Sequence, residues 1–230
     1  CIFPTVCKNM NTDHSRLTAL YRKVDSIEGV KKSFVGSGVR YDMLLGDNAS
    51  EAERRSHREY TRELISRHVS GRLKVAPEHT SDGVLSVMRK PSFALFGRFK
   101  KEFERINKEC GLNQQIVPYF ISSHPGCRDE DMAELAVLTK DMDFKLEQVQ
   151  DFTPTPMTVS TVIYYSGIHP YTLKPVMTAK TQEAKLRQRM FFFWYKPEYR
   201  TKIIATLKSM RRTDLVERMF GKVNQKKRYK

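Results

Sequence analysis

The chain has 230 residues, 40% of them hydrophobic and 29% charged, with 41 Lys and Arg against 26 Asp and Glu and a formal net charge of +15. That composition is globular rather than disordered and supplies enough apolar side chains for one domain or one and a half. No run approaches the roughly 18 apolar residues of a membrane span and no secretory leader is expected, while the positive excess favours an anionic partner such as RNA, DNA or a charged cofactor.

Four cysteines, Cys1, Cys7, Cys110 and Cys127, are too scattered for a disulfide framework in a chain of this size, so a reducing compartment, the cytoplasm, is expected. Cys1 stands where an initiator Met would, and the first residues carry no turn or cap. A longer parent polypeptide is therefore expected.

Asn11-Thr12-Asp13 predicts a cap for a helix whose Leu17, Leu20, Tyr21 and Val24 recur at helical spacing, with Gly29 as its stop. Lys32 to Gly38 is apolar in its middle and bounded by glycines, as a buried parallel strand would be, with Ser37 to Arg40 at its end. Ser50 and Glu53 fit a capping box, in which side chain and backbone satisfy each other, for a helix to about His68. Arg72 to Pro77 predicts a second strand, and Glu78, His79 and Thr80 follow it.

Thr80-Ser81-Asp82 caps a short helix through Met88, and Pro91-Ser92 starts another carrying a stripe of Phe93, Phe96, Phe99, Phe103 and Ile106 suited to packing on a sheet, with Gly111 at its end. Gln115 to Ile121 predicts a third strand, closed by Ser122-Ser123-His124-Pro125-Gly126. Asp129-Glu130-Asp131 suit the positive end of the next helix dipole, and Met132, Leu135, Ala136 and Met142 form its inner face. Phe144 to Phe152 predicts a fourth strand that ends in Thr153-Pro154-Thr155-Pro156.

Beyond Thr158 a tyrosine-rich turn region, Tyr164 to Tyr171, precedes helices at about 181–195, 198–209 and 213–220, the second opened by Pro197, and then a basic tail. Strands separated by one or two helices are the rhythm of βαβ units. The expected architecture is an α/β fold: parallel strands forming part of a (βα) barrel over residues 1–160, and a helical extension over 161–230.

Ligands of parallel sheets bind at the C-terminal strand ends. Those ends offer Ser37, Gly38 and Arg40; Lys74, Glu78 and His79; Ser122, Ser123, His124 and Gly126; and Gln148, Gln150, Asp151 and Thr153. Gln148, Gln150 and Thr153 show no evident solvent face, so a polar ligand or neighbouring strand ends must satisfy them. His79 and His124 are candidate acid-base groups, because imidazole titrates near neutral pH. Cys1 and Cys7, with His14, would form a metal site only with ligands from elsewhere. Arg187, Arg189, Lys196 and Arg200 interleave with Phe191 to Tyr195, a composition that stacks on and clamps nucleic acid, although helical spacing assigns Met190, Phe193 and Trp194 to the core.

Four stretches are distinctive: Lys74-Val75-Ala76-Pro77-Glu78-His79-Thr80-Ser81-Asp82, Met88-Arg89-Lys90-Pro91-Ser92, Ile121-Ser122-Ser123-His124-Pro125-Gly126-Cys127 and Gln148-Val149-Gln150-Asp151-Phe152-Thr153-Pro154-Thr155-Pro156. With Cys1 to His14 and Phe191 to Pro197 they resemble the C-terminal half of the YgiQ-like radical S-adenosylmethionine (SAM) proteins. The resemblance implies strands three to six of a partial (βα)6 barrel, with the first two strands and the CxxxCxxC motif that binds the 4Fe-4S cluster lying upstream. It implies that the parent cleaves SAM to a 5′-deoxyadenosyl radical that attacks an unknown substrate, and that this portion alone is inactive.

The segment Ile121 to Gly126 is similar to the Ile-x-Gly-x-Pro-Gly-Glu segment beside adenine in related methylthiotransferases, with Ser123 in place of the first glycine and Cys127 in place of the glutamate. By the same resemblance Ser37, Arg40, Lys74 and Glu78 are candidates for the ribose and carboxylate of SAM. Ser122, Ser123, His124, Gly126, Gln148 and Gln150 complete the candidate cofactor-binding set. The alternative is a basic RNA-binding module.

Overall fold

The computed structural model describes residues 2–46 and 48–221; Cys1 and the basic tail, both singled out in the sequence, lie outside them. The described residues form an α/β fold with a three-stranded parallel sheet, β1 (Arg72–Glu78), β2 (Gln115–Ser122) and β3 (Gln148–Asp151), ordered β1-β2-β3. Helices α4 (Asp82–Met88) and α5 (Phe93–Glu109) connect β1 to β2, and α6 (Asp129–Asp141) connects β2 to β3. These are the crossovers that parallel neighbours require.

Two compact units divide the described residues. The first takes Cys1–Pro77 and Arg89–Tyr119. In it α1 (Ser15–Asp25) packs on α3 (Glu51–Arg67), and both α3 and the short α2 (Tyr41–Leu44) pack on α5. Of the predicted stripe, Phe96, Phe99, Phe103 and Ile106 of α5 are buried and Phe93 is half-buried, each full burial contributing about 1.5–3 kcal/mol. Ser50 and Glu53 form the expected capping box at the start of α3. Gly111, at φ +62°, ends α5, and Leu112 N–H donates to Asn107 C=O while Gly111 N–H donates to Lys108 C=O, the paired bonds of a Schellman cap.

The second unit takes Glu78–Met88 and, among the described residues, 120–221. Within it α6 packs against a 3-10 turn at Met190–Phe193 and against α10 (Thr213–Phe220), and α10 packs on α9 (Pro197–Ser209). Asp129, Glu130 and Asp131 occupy the first turn of α6, and Pro197 opens α9, both as predicted. None of the helices in the described residues is long and apolar enough to cross a membrane.

Several elements depart from expectation. Lys32 to Gly38 forms no strand: Phe34 is 51% exposed, and Val35 N–H donates to His68 C=O outside any ladder. Its glycines contribute no side chain to bury, and its phenylalanine faces water. The predicted fourth strand shortens to β3, because Phe144 N–H donates to Thr139 C=O and closes the end of α6 instead of joining the ladder.

The tyrosine-rich region contains a helix, α7 (Val159–Ser166), capped by the Thr158 side chain and ended by Gly167 at φ +71°. The helix expected over 181–195 is α8 (Gln182–Arg189) followed by the tighter 3-10 turn. That tightening rotates Met190, Phe191 and Phe192 into the core and leaves Phe193 and Trp194 only partly buried.

Candidate functional site

A buried polar cluster of the second unit surrounds the end of β2. Ser122 completes the strand, and Phe152 N–H donates to its carbonyl. The chain then turns sharply. His124-Pro125-Gly126-Cys127 is closed by Cys127 N–H donating to His124 C=O, with Gly126 at φ +86°. Proline at the second and glycine at the third position are the residues such a turn demands, since only glycine holds that φ without strain.

Ser123, before the turn, has φ +61°. A glycine would adopt this backbone freely. A serine stays in it only when its surroundings over-determine it, at a cost of about 1–3 kcal/mol. Its amide donates to Gln188 Oε1 at 2.9 Å, and Gln188 Nε2 donates to Cys127 C=O at 2.9 Å. The Ser123 hydroxyl is buried with no hydrogen-bond partner.

The Ser122 hydroxyl donates to Asp151 Oδ1 at 2.6 Å, and Asp151 Oδ2 receives Arg189 at 3.1 Å. The end of β3 is thereby tied to β2 and to α8.

Both histidines of the cluster are buried, and burial pushes each imidazole down to about 4, so both are neutral at pH 7. His79 Nδ1 accepts from Ser81 N–H at 3.0 Å, which leaves Nε2 as the protonated nitrogen, 3.5 Å from Cys127 Sγ. His79 therefore donates toward the sulfur. It is oriented oppositely to the base of a cysteine nucleophile, and burial also pushes the Cys127 thiol well above its ordinary value. His124 Nδ1 lies 2.8 Å from Pro125 C=O and must donate to it, so Nε2 accepts from Ser160 Oγ at 2.9 Å. Phe152 meets the His124 ring edge-on at 4.9 Å.

Of the sequence-predicted site residues, the structure brings Ser122, Ser123, His124 and Gly126 together. Glu78, also in the second unit, is half-buried at φ +68° at the end of β1. In the first unit Arg40, with Gly38, Ala76, Pro77 and Lys90, lines a cavity of about 140 Å³, and its guanidinium is held by Asp42 at 2.9 Å. Ser37 and Lys74 are exposed. Gln150 and Thr153 are also exposed, which corrects the expectation that they lack a solvent face; Gln148 lies in β3. Cys7 lines a separate cavity of about 250 Å³ in the first unit, and among the described residues no three His, Cys, Asp or Glu side chains converge as metal ligands.

Gln188 and Ser160 were not singled out in the sequence. Hydropathy places Leu186 inward on α8, yet Leu186 is 53% exposed and Gln188 is 1% exposed. An isolated glutamine in a basic, polar helix carries no signal of its own.

Residues 147–223 match the family described as Domain of unknown function (DUF3362), which takes in α7 to α10. The longer similarity covers nearly the whole chain. It is 65% identical over 97% of its length to a UPF0313 protein of Bacteroides thetaiotaomicron, 58% over 96% to one of Porphyromonas gingivalis and 43% over 94% to one of Methanocella arvoryzae. Its relatives are UPF0313 proteins, the YgiQ-like family. The chain spans only about a third of their length, 36%, 35% and 34% respectively.

Proposed function

We propose that this chain is part of a radical SAM enzyme, that its sheet is a segment of a partial (βα) barrel, and that the Ser122 to Cys127 segment lies beside the adenosine of SAM. The observation that supports this most is the Ser123 backbone and hydroxyl. A buried hydroxyl without a partner costs about 1–3 kcal/mol, and a hydrogen-bonding ligand would remove that cost.

The described residues fit SAM better than they fit the cluster. Among the described residues no three His, Cys, Asp or Glu side chains converge, and Cys127 is held as a neutral thiol, whereas a cluster ligand must be a thiolate. The cluster would be held by residues of a longer parent. When bound and reduced, SAM supplies a 5′-deoxyadenosyl radical. This chain would contribute the turn that shapes the adenosine pocket and the Ser123 hydroxyl as a polar contact. The cysteine usage suits a reducing cytoplasm.

The test is anaerobic purification of the parent polypeptide, reconstitution with iron and sulfide, and measurement of 5′-deoxyadenosine after reduction with SAM present. Iron binding and SAM cleavage are expected; a parent that binds no iron and leaves SAM intact refutes the proposal.

RNA binding has separate support in the first unit. A groove of about 610 Å³ beside α3 and α5 is lined by Arg54, Arg58, Arg98, Lys101 and Arg105, of which Arg54 and Arg58 pair with Glu51 and Arg105 with Glu102 and Glu109. The C-terminal aromatic run is less suited to this role, since Phe191 and Phe192 are fully buried. Affinity for mixed RNA should be measurable at low salt, fall steeply as salt rises, and drop on R98E/K101E substitution. No binding at low salt eliminates this function.

A further inference from the structure

We infer that Gln188 is a positioning residue that holds the Ser123 to Cys127 turn in its ligand-ready form, which makes α8 a working wall of the pocket rather than an appendage. The identity of the ligand rests on the radical SAM proposal; the hold on the turn does not.

The amide of Gln188 is 1% exposed and spans the turn, accepting from Ser123 N–H and donating to Cys127 C=O, both at 2.9 Å. Burying a primary amide is costly unless both ends are bonded, and here both are. The helix sends this amide inward and leaves Leu186 outside, the reverse of what burying apolar surface alone would select. The next residue, Arg189, binds Asp151, which takes the Ser122 hydroxyl. Two successive α8 residues thus restrain two successive residues at the end of β2.

Ser123 needs such restraint. Its φ of +61° is unfavourable for an L-residue, and its backbone decides where the unpartnered hydroxyl sits. Without Gln188, the Ser123 amide loses its acceptor and the backbone can relax to negative φ, carrying the hydroxyl away.

Two measurements on the Q188L and Q188E variants test this. The first is amide exchange in the full 230-residue chain. Loss of one hydrogen bond should speed exchange at Ser123 by roughly tenfold in Q188L, while the buried centre of β2 keeps its protection. Q188E keeps an acceptor for that amide and, neutral at a 1% exposed site, also a donor for Cys127 C=O, so it should stay nearer to wild type, and it carries the comparison if Q188L does not fold. The second is calorimetric titration of the parent polypeptide with S-adenosylhomocysteine. Q188L should bind roughly tenfold more weakly, and Q188E should recover part of that loss.

Unchanged exchange at Ser123 overturns the inference. Altered exchange with unaltered affinity in a parent whose wild type binds also overturns it, because Gln188 would then be only structural. A wild-type parent that binds no S-adenosyl ligand refutes the radical SAM proposal instead, and the exchange measurement still decides whether Gln188 holds the turn.

Discussion

Gly126→Ala puts the geometry of the turn to a quantitative test. An alanine there must hold φ +86°, where L-residues lose about 1–2 kcal/mol. Its Cβ would also stand 3.2 Å from Val87 Cγ2, close enough that Val87 must shift, and such overpacking costs about 1–3 kcal/mol. Together the two effects predict a loss of about 2–5 kcal/mol.

They separate in a double-mutant cycle. Val87→Ala deletes the methyl that Cβ would meet and leaves the φ penalty untouched. The double variant should therefore be more stable than the sum of the single changes by about 1 kcal/mol or more. Urea unfolding followed by the fluorescence of Trp194 suits this, since it is the one tryptophan of the chain and belongs to the same unit as Gly126. A G126A loss below about 1 kcal/mol, or a cycle additive within about 0.3 kcal/mol, would refute the reasoning.

Ser122→Ala removes a hydroxyl bound to a carboxylate and should cost about 1.5–3 kcal/mol in the same urea assay; a shift below about 0.5 kcal/mol would mean that the Ser122–Asp151 bond contributes little. Stability should also fall with acid. His79 and His124 bind a proton near pH 4 in the folded chain but near pH 6.5 when unfolded, so the unfolded state holds more protons between those values. Their contribution is complete above pH 6.5, declines as pH drops toward 4 and then levels off. Urea midpoints at pH 7 and pH 5 should differ, and H79N should reduce the difference; an unchanged slope would contradict neutral burial of His79. Alkylation at pH 8 followed by peptide mass mapping should label half-buried Cys7 and Cys110 and spare buried Cys127 until denaturant is added. Rapid labelling of Cys127 in the folded protein would contradict its environment.

Features that rest on local chemistry were legible in the residues. Ser50 and Glu53 satisfy each other's backbone, Pro125-Gly126 can make few turns but this one, and the α5 phenylalanines share a face because a helix turns once in 3.6 residues. The strand end at Ser122 to Gly126 was legible for the same reason. Lys32 to Gly38 misled because an apolar run between glycines suits a strand locally, but a strand exists only if a neighbour pairs with it. Tyr164 hid a helix because a tyrosine-rich stretch suits a turn, while burial of Ile163 and Tyr164 selects the helix.

The sequence by itself determined the three strands that pair, most of the helices and the polar turn after β2, since caps, periodicity and turn residues act over a few neighbours. Only the tertiary structure decided that Gln188 faces inward and Leu186 outward, that His79 donates toward Cys127, and that Asp151 links Ser122 to Arg189. Those choices depend on which distant groups need a hydrogen-bonding partner once water is excluded, and no local pattern along the chain encodes that need.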